Sequence, residues 1–160
     1  MVPTGISEAT FRQACGLFAT GVAVATVCGE AGEPHGLTIN SFTSVSLDPP
    51  LVLICIDYRA QVLEVFVRAK HYAVNILGEA QQDISNRFAY RTEDRFAGVE
   101  WTAGETGAPL IAGALAAIEC VTRQIIEGGD HTILLAEAVA IHAGAGDPLL
   151  YFNSRYRQIR

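Results

Sequence analysis

Between Thr38 and Ser46 the chain crowds together the side chains of Thr38, Asn40, Ser41, Thr43, Ser44 and Ser46, just ahead of the apolar run Leu51–Ile56. An apolar wall beside convergent hydroxyl and amide groups suits a flavin. Its ring faces need the wall, and its carbonyls, ring nitrogens and ribityl phosphate need the polar groups. Without a ligand the same run is a strand whose hydroxyls face water or bond to backbone. Farther along stands Gly128-Gly129-Asp130-His131. The glycines permit a tight turn, and Asp130 is placed to orient or polarise the imidazole of His131. The bland counterpart is local capping at a hairpin. The C-terminal PLLYFNSRYRQI ends in Arg155-Tyr156-Arg157, a cationic and aromatic cluster able to cover a ligand, meet another subunit or simply solvate the chain end.

Other chemistries find no support. There is no GxSxG, HExxH, P-loop or GxGxxG. His35, His71, His131 and His142 are too dispersed to announce a metal site, and no metal is expected. Cys15, Cys28, Cys55 and Cys120 include no CxxC pair and read as buried thiols.

The elements that must position these groups follow from periodicity. Ser7 caps a helix carrying Phe11, Ala14, Cys15 and Phe18 on one face, with Gly21 expected to end it. Val22–Cys28 reads as a strand, residues 29–34 as a turn, and Leu37–Ser46 as another strand. Asp48-Pro49-Pro50 breaks the pattern before Leu51–Ile56, whose continuous apolar character predicts burial on both faces. Gln61–Ala69 reads as a helix, Tyr72–Leu77 as a strand, and Ala80–Tyr90 as a helix leading into the loop TEDRFAGVEW. Leu115–Ile126 and Thr132–Ile141 form a predicted hairpin about a somewhat extended turn at Glu127–His131, and Leu149–Phe152 is the last strand. Most strands follow one another through short turns, without the strand–helix alternation of a doubly wound sheet. A closed or nearly closed antiparallel barrel with helices around it fits better.

Composition narrows the field. The 160 residues suit one domain, expected over 1–160 with its core at about 7–159; half of them are hydrophobic and 18% are charged. A net charge of -6 without a basic cluster argues against nucleic acid. The N-terminus lacks the pattern of a signal peptide, and the uncharged run Gly107–Ile118 is too short to span a bilayer. The expectation is a cytoplasmic protein with no membrane partner.

Five segments in register carry a resemblance: GLTINSFTSVSLDPPLVLICID at 36–57, AVNIL at 73–77, DRF at 94–96, GDHTILLAEAV at 129–139 and PLLYFNSRYRQI at 148–159. In this order the chain resembles the flavin reductase-like family, the small NAD(P)H:flavin oxidoreductase components of two-component monooxygenases. The resemblance implies a mainly β fold with peripheral helices, a split β-barrel of the FMN-binding type, working as a homodimer. It implies FMN or FAD as cofactor, NADH or NADPH as electron donor, and delivery of reduced flavin to a separate oxygenase.

Residue by residue, the resemblance implies that Thr38, Asn40 and Ser41 contact the flavin ring, largely through backbone groups. Ser44, Val45 and Ser46 would line the ribityl and phosphate region, with Cys55 and Asp57 under the flavin. Phe88 would pack near its distal part, Arg155 and Tyr156 near the cofactor site, and His131 beside the nicotinamide as the catalytic residue. Many members carry a hydroxyl pair after the strand that ends at Asp57. Here Gln61 and Val62 stand there, and only Gln61 has a side chain that can donate to a phosphate or ribityl oxygen. No compact basic pair near the His131 loop awaits a 2′-phosphate, so NADH is expected over NADPH. The residues alone leave open a non-catalytic flavin- or haem-binding protein on the same barrel, and a module that binds nothing.

Overall fold

The computed structural model describes residues 5–90 and 93–159; the expected loop from Thr92 to Trp101 thus begins outside them. Helix α1 (Glu8–Gly16) starts where Ser7 Oγ accepts from the Thr10 amide at 3.1 Å. It closes at Gly16 rather than Gly21, because Thr20–Gly21 is drawn into a short strand, β1, paired far along the chain. Next come β2 (Ala23–Cys28), β3 (Pro34–Ile39), β4 (Thr43–Leu47), β5 (Pro50–Asp57), α2 (Leu63–Arg68) and β6 (His71–Ile76). A 3-10 turn (Glu79–Gln81) leads into α3 (Gln82–Ala89), followed by β7 (Trp101–Ala103) and β8 (Pro109–Ile111). The long strands β9 (Ala116–Gly128) and β10 (His131–Ala143) precede β11 (Leu150–Phe152) and β12 (Arg155–Arg157).

The protein is mainly β, with few and short helices. Seven strands form one antiparallel sheet in the order β3-β2-β6-β9-β10-β5-β4. Ile39 of β3 nevertheless shares a buried cluster with Val52 and Ile54 of β5, although four strands separate β3 from β5. The sheet therefore curls around that cluster, which α2 closes with Val62, Leu63 and Phe66. Among the described residues no ladder joins the two ends of the sheet. A second core, with Val22, Val24, Leu77, Phe88 and Leu149, lies on the other face of β2.

Three sequence expectations change. The strands buried on both faces are β2 and β6; β5 buries Val52, Ile54 and Ile56 but leaves Leu51, Leu53 and Cys55 half-exposed. The stretch 37–46 is two strands, because Asn40–Phe42 turns the chain from β3 onto the far edge of the sheet. The hairpin turn is also tighter than expected. Gly128 pairs with His131, leaving only Gly129-Asp130 as the loop, with Gly129 at φ 72°, where glycine avoids the Cβ penalty.

Two buried polar networks fasten the β7–β8 hairpin. Asn75 Nδ2 donates to Val24 O and Thr26 Oγ1, while its Oδ1 accepts from the Ile111 amide at 2.9 Å. Glu119, fully buried, accepts from the Glu105 and Thr106 amides and the Thr106 hydroxyl, with His142 Nε2 at 2.7 Å. Burial would raise the Glu119 pKa, but these donors outweigh it and hold the carboxyl down at about 2. Gly104 is required here, since a Cβ would stand 2.5 Å from that carboxylate.

Candidate functional site

Thr38, near the end of β3, borders two clefts at once. One, of about 280 Å³, lies between β3, α3 and the β11–β12 pair and includes Asn40, Ser85, Tyr90, Tyr151 and Tyr156. The other, of about 310 Å³, lies against the β5–α2 turn and includes Asp57, Arg59, Gln61, Phe88 and Arg95. Both also touch Ala89, so the two run together across the end of α3. A larger cavity, about 530 Å³, sits at the opposite end of β2 and β3, around Cys28, Arg68 and Lys70, and contains none of the candidate residues. Size alone is a poor guide here, because the chemistry gathers in the joined clefts.

Side-chain roles follow from hydrogen-bonding capacity. Thr38 Oγ1 donates to Ser85 O at 2.6 Å, which leaves its lone pairs for a ligand donor. Ser41 Oγ donates to Cys55 O and accepts from the Cys55 amide, both at 3.0 Å. The hydroxyl thus supplies the rung that β4 no longer provides beyond Thr43, opposite Leu53. Its capacity goes largely to β5, so contact with a ligand would fall to its backbone.

Asp57 receives the Arg59 amide at 2.7 Å and its Nε and Nη2 at 3.1 and 2.8 Å. These bonds, with the guanidinium charge, hold the carboxyl well below the usual carboxylate range. Phe88 is fully buried, edge-on to Phe96 at 4.9 Å, and its ring occupies the space a Cβ at Gly36 would need. Arg95 Nη1 donates to Gly36 O at 2.7 Å, which fixes one guanidinium beside Gln61 in the same cleft.

His131 pairs across the ladder with Asp57, one strand from the second cleft, and its Nδ1 lies 2.7 Å from Asp130 Oδ1. The hydrogen bond from His131 holds the Asp130 carboxyl below its usual range. Tyr156 is held on two sides, by the Tyr151 ring at 5.4 Å and by Ser85 Oγ at 2.7 Å from its hydroxyl.

The structure thus brings Thr38, Asn40, Asp57, Gln61, Phe88 and Tyr156 to one pair of clefts, with His131 adjoining. Ser44, Val45 and Ser46 lie on the edge strand β4, and these three, with Ser41, Cys55 and Arg155, border neither cleft. On β12 the exposed Arg155 alternates with the half-buried Tyr156. Against the expectation of four buried thiols, Cys15 is exposed on α1, Cys28 and Cys55 are half-buried and Cys120 is buried. Burial pushes up the thiols of Cys28, Cys55 and Cys120, the last to about 12, so none of these three is poised as a thiolate.

Sequence reading missed Ser85, Arg59 and Tyr151. The first sits on a helix face where serine signals nothing by itself. Arg59 stands two residues beyond Asp57, a spacing that could have suggested the turn-forming pair.

A flavin needs a slot of a few hundred cubic ångströms with apolar walls and a few convergent polar groups. The joined clefts meet that requirement: Phe88 and the tyrosines supply apolar surface, Thr38 and Asn40 polar contacts, and Gln61, Arg59 and Arg95 donors for phosphate. Among the described residues no cluster of three or more His, Cys, Asp or Glu could hold a metal, and no helix is long and apolar enough to cross a membrane.

Comparison with known proteins bears on this geometry. A family profile described as flavin reductase like domain matches residues 15–160. A probable flavin reductase of Rhizobium meliloti is 45% identical over 91% of this chain, and the reductase component of a flavin-dependent trigonelline monooxygenase from Acinetobacter baylyi is 43% identical over 91%. The chain spans 47% of the length of each of these two relatives. A solved structure of the Streptomyces globisporus NADH:FAD oxidoreductase, in complex with NAD and FAD fragments, superposes with a TM-score of 0.91 at 42% identity. That match covers 96% of this chain and 93% of the other.

Proposed function

This chain belongs to the flavin reductase-like domain family, and on that premise we propose that it is an NADH-dependent flavin reductase acting on FMN or FAD and supplying reduced flavin to a separate oxygenase. The Streptomyces relative's NADH and FAD, and the Acinetobacter relative's role as a reductase component, support this reading. The observation that carries it is the pair of clefts joined at Thr38, with His131 at one margin. Bound flavin would supply the hydride acceptor, at its N5.

The chain's own contribution is placement. In this reading Thr38, Asn40 and the backbone at Ser41 meet the ring, and Phe88 backs the distal wall. Gln61, with Arg59 and Arg95, takes the phosphate. Ser44, Val45, Ser46 and Cys55 would serve through backbone or through the edge strand. Arg155 would act only by a change in its setting on β12. Hydride transfer needs the donor and acceptor carbons and nitrogens held within near-attack distance, so positioning by His131 contributes more than proton transfer would. With Nδ1–H directed to Asp130, Nε2 becomes an acceptor for the nicotinamide carboxamide. Glu127 and Asp130 at that hairpin disfavour a further phosphate, which supports NADH over NADPH.

The same reading makes the curled sheet a split β-barrel of the FMN-binding type, one domain with its core at about 7–159. It also makes the molecule a cytoplasmic homodimer. Exposed Phe11, Phe18, Val45, Leu47 and Ile141 support the dimer, since so much apolar surface is costly in a monomer. Titration with FMN and FAD, followed by quenching of flavin fluorescence, tests the site: saturable one-per-chain binding is expected, and absence of saturation with both flavins would overturn it.

A further inference from the structure

We propose that Ser85 is a positioning residue for the flavin cleft, acting by fixing the hydroxyl and the ring setting of Tyr156; this rests on the flavin reading above. Ser85 lies in the middle of α3 and exposes none of its surface, so it reaches a ligand only through a neighbour. A serine there commonly bonds a carbonyl one turn back. Instead the hydrogen bond of its hydroxyl runs to Tyr156 at 2.7 Å, seventy-one residues away in sequence. Its backbone carbonyl accepts from Thr38 at 2.6 Å. One residue therefore ties together the two side chains that border the 280 Å³ cleft from β3 and from β12.

Tyr156 is also a partition. It lines that cleft and, on its other side, a polar cleft of about 520 Å³ with Glu79, Gln82 and Arg157. Tyr151 meets the ring at 67° and 5.4 Å, which limits its tilt. Among the described residues the Ser85 contact is what fixes where the phenol oxygen points, and a ring released from it can turn toward either cleft. The bond also sets what Tyr156 offers a ligand. When Ser85 donates, the phenol proton is directed away from Ser85; when Tyr156 donates, the phenol presents only lone pairs.

The test compares Ser85→Ala, Tyr156→Phe and the double variant. Each single change removes one half of the bond, and Tyr156→Phe leaves the packing intact should Ser85→Ala fold poorly. Loss of one hydrogen bond corresponds to about a 2- to 10-fold effect. We expect flavin Kd and KM to rise by that factor in each single variant, with kcat for flavin reduction in Ser85→Ala within about twofold of the parent. The double variant should be no worse than the weaker-binding single. Additive losses, or unchanged flavin affinity beside a lowered melting temperature, would overturn the positioning role. A parent protein that binds no flavin would instead overturn the functional reading on which it rests.

Discussion

Replacing His131 with alanine separates an enzyme from a protein that merely holds flavin. The imidazole is close to half-exposed, at 41%, and sits at the start of β10, so its removal opens no cavity and should leave the fold and flavin affinity nearly unchanged. On the proposed reading, what is lost is one hydrogen bond to the nicotinamide side. A neutral bond is worth about 0.5–1.5 kcal/mol and one to a charged partner about 1.5–3. At about 1.4 kcal/mol per tenfold, kcat/KM for NADH should fall by about 3- to 100-fold. Asp130→Asn should cost less, about 2- to 5-fold, because Asp130 is 86% exposed and its pairing with His131 is screened by water. The assay is anaerobic stopped-flow reduction over a full range of NADH, beside flavin titration and thermal melting. Reduction rates of His131→Ala equal to the parent's at every concentration would remove His131 from the site. Loss of flavin affinity and melting temperature together would make it a structural cap.

Glu119→Gln tests the buried clamp. Its carboxyl is depressed to about 2 in the folded chain, so it contributes stability at pH above about 4.3, the usual unfolded value, and loses it as pH falls toward 2. Chemical denaturation across that window should show a fall in stability with falling pH that the variant lacks; identical slopes would contradict the clamp. Phe88→Ala should cost about 3–5 kcal/mol by denaturant titration, since the ring is fully buried against Phe96; a loss under 1 kcal/mol would mean the wall collapses without it. NADH should exceed NADPH in kcat/KM, and steady-state rates with both donors decide it, equal or higher NADPH efficiency refuting the charge argument. Sedimentation equilibrium should give twice 17.1 kDa across the micromolar range, and a persistent 17.1 kDa species would rule out the dimer.

Much of the fold was legible because its signals are local. Ser7 as a cap and the Asp48-Pro49-Pro50 break each act within a few residues and stand in the structure, as does the hairpin signalled by Gly128-Gly129, with its loop at Gly129-Asp130. Burial was harder to read. Leu51–Ile56 and Val22–Cys28 look equally apolar, yet of these two only β2 is enclosed on both faces, because α3 and the β11–β12 pair come from far along the chain to cover it. The β7–β8 hairpin was invisible for a similar reason. Three-residue strands carry little periodicity, and this hairpin is held by Asn75 and Glu119 from other strands.

The site was legible as a set of segments rather than as roles. Thr38, Asp57, Phe88 and Tyr156 do converge, but Ser41 turns out to complete the β5 ladder and Asp57 to organise the Arg59 turn. Hydroxyls and carboxylates look alike in sequence whether they serve a ligand or the backbone. Ser85 could not have been found, since its importance exists only through Tyr156.

The central claim is that the purified chain moves hydride from NADH to flavin. Oxidation of NADH followed at 340 nm, with FMN and then FAD as acceptor, tests it most directly. The account predicts turnover that saturates in both nucleotide and flavin and that falls in the His131→Ala variant. Flavin that binds but is not reduced by NADH above the rate of the protein-free mixture would contradict it.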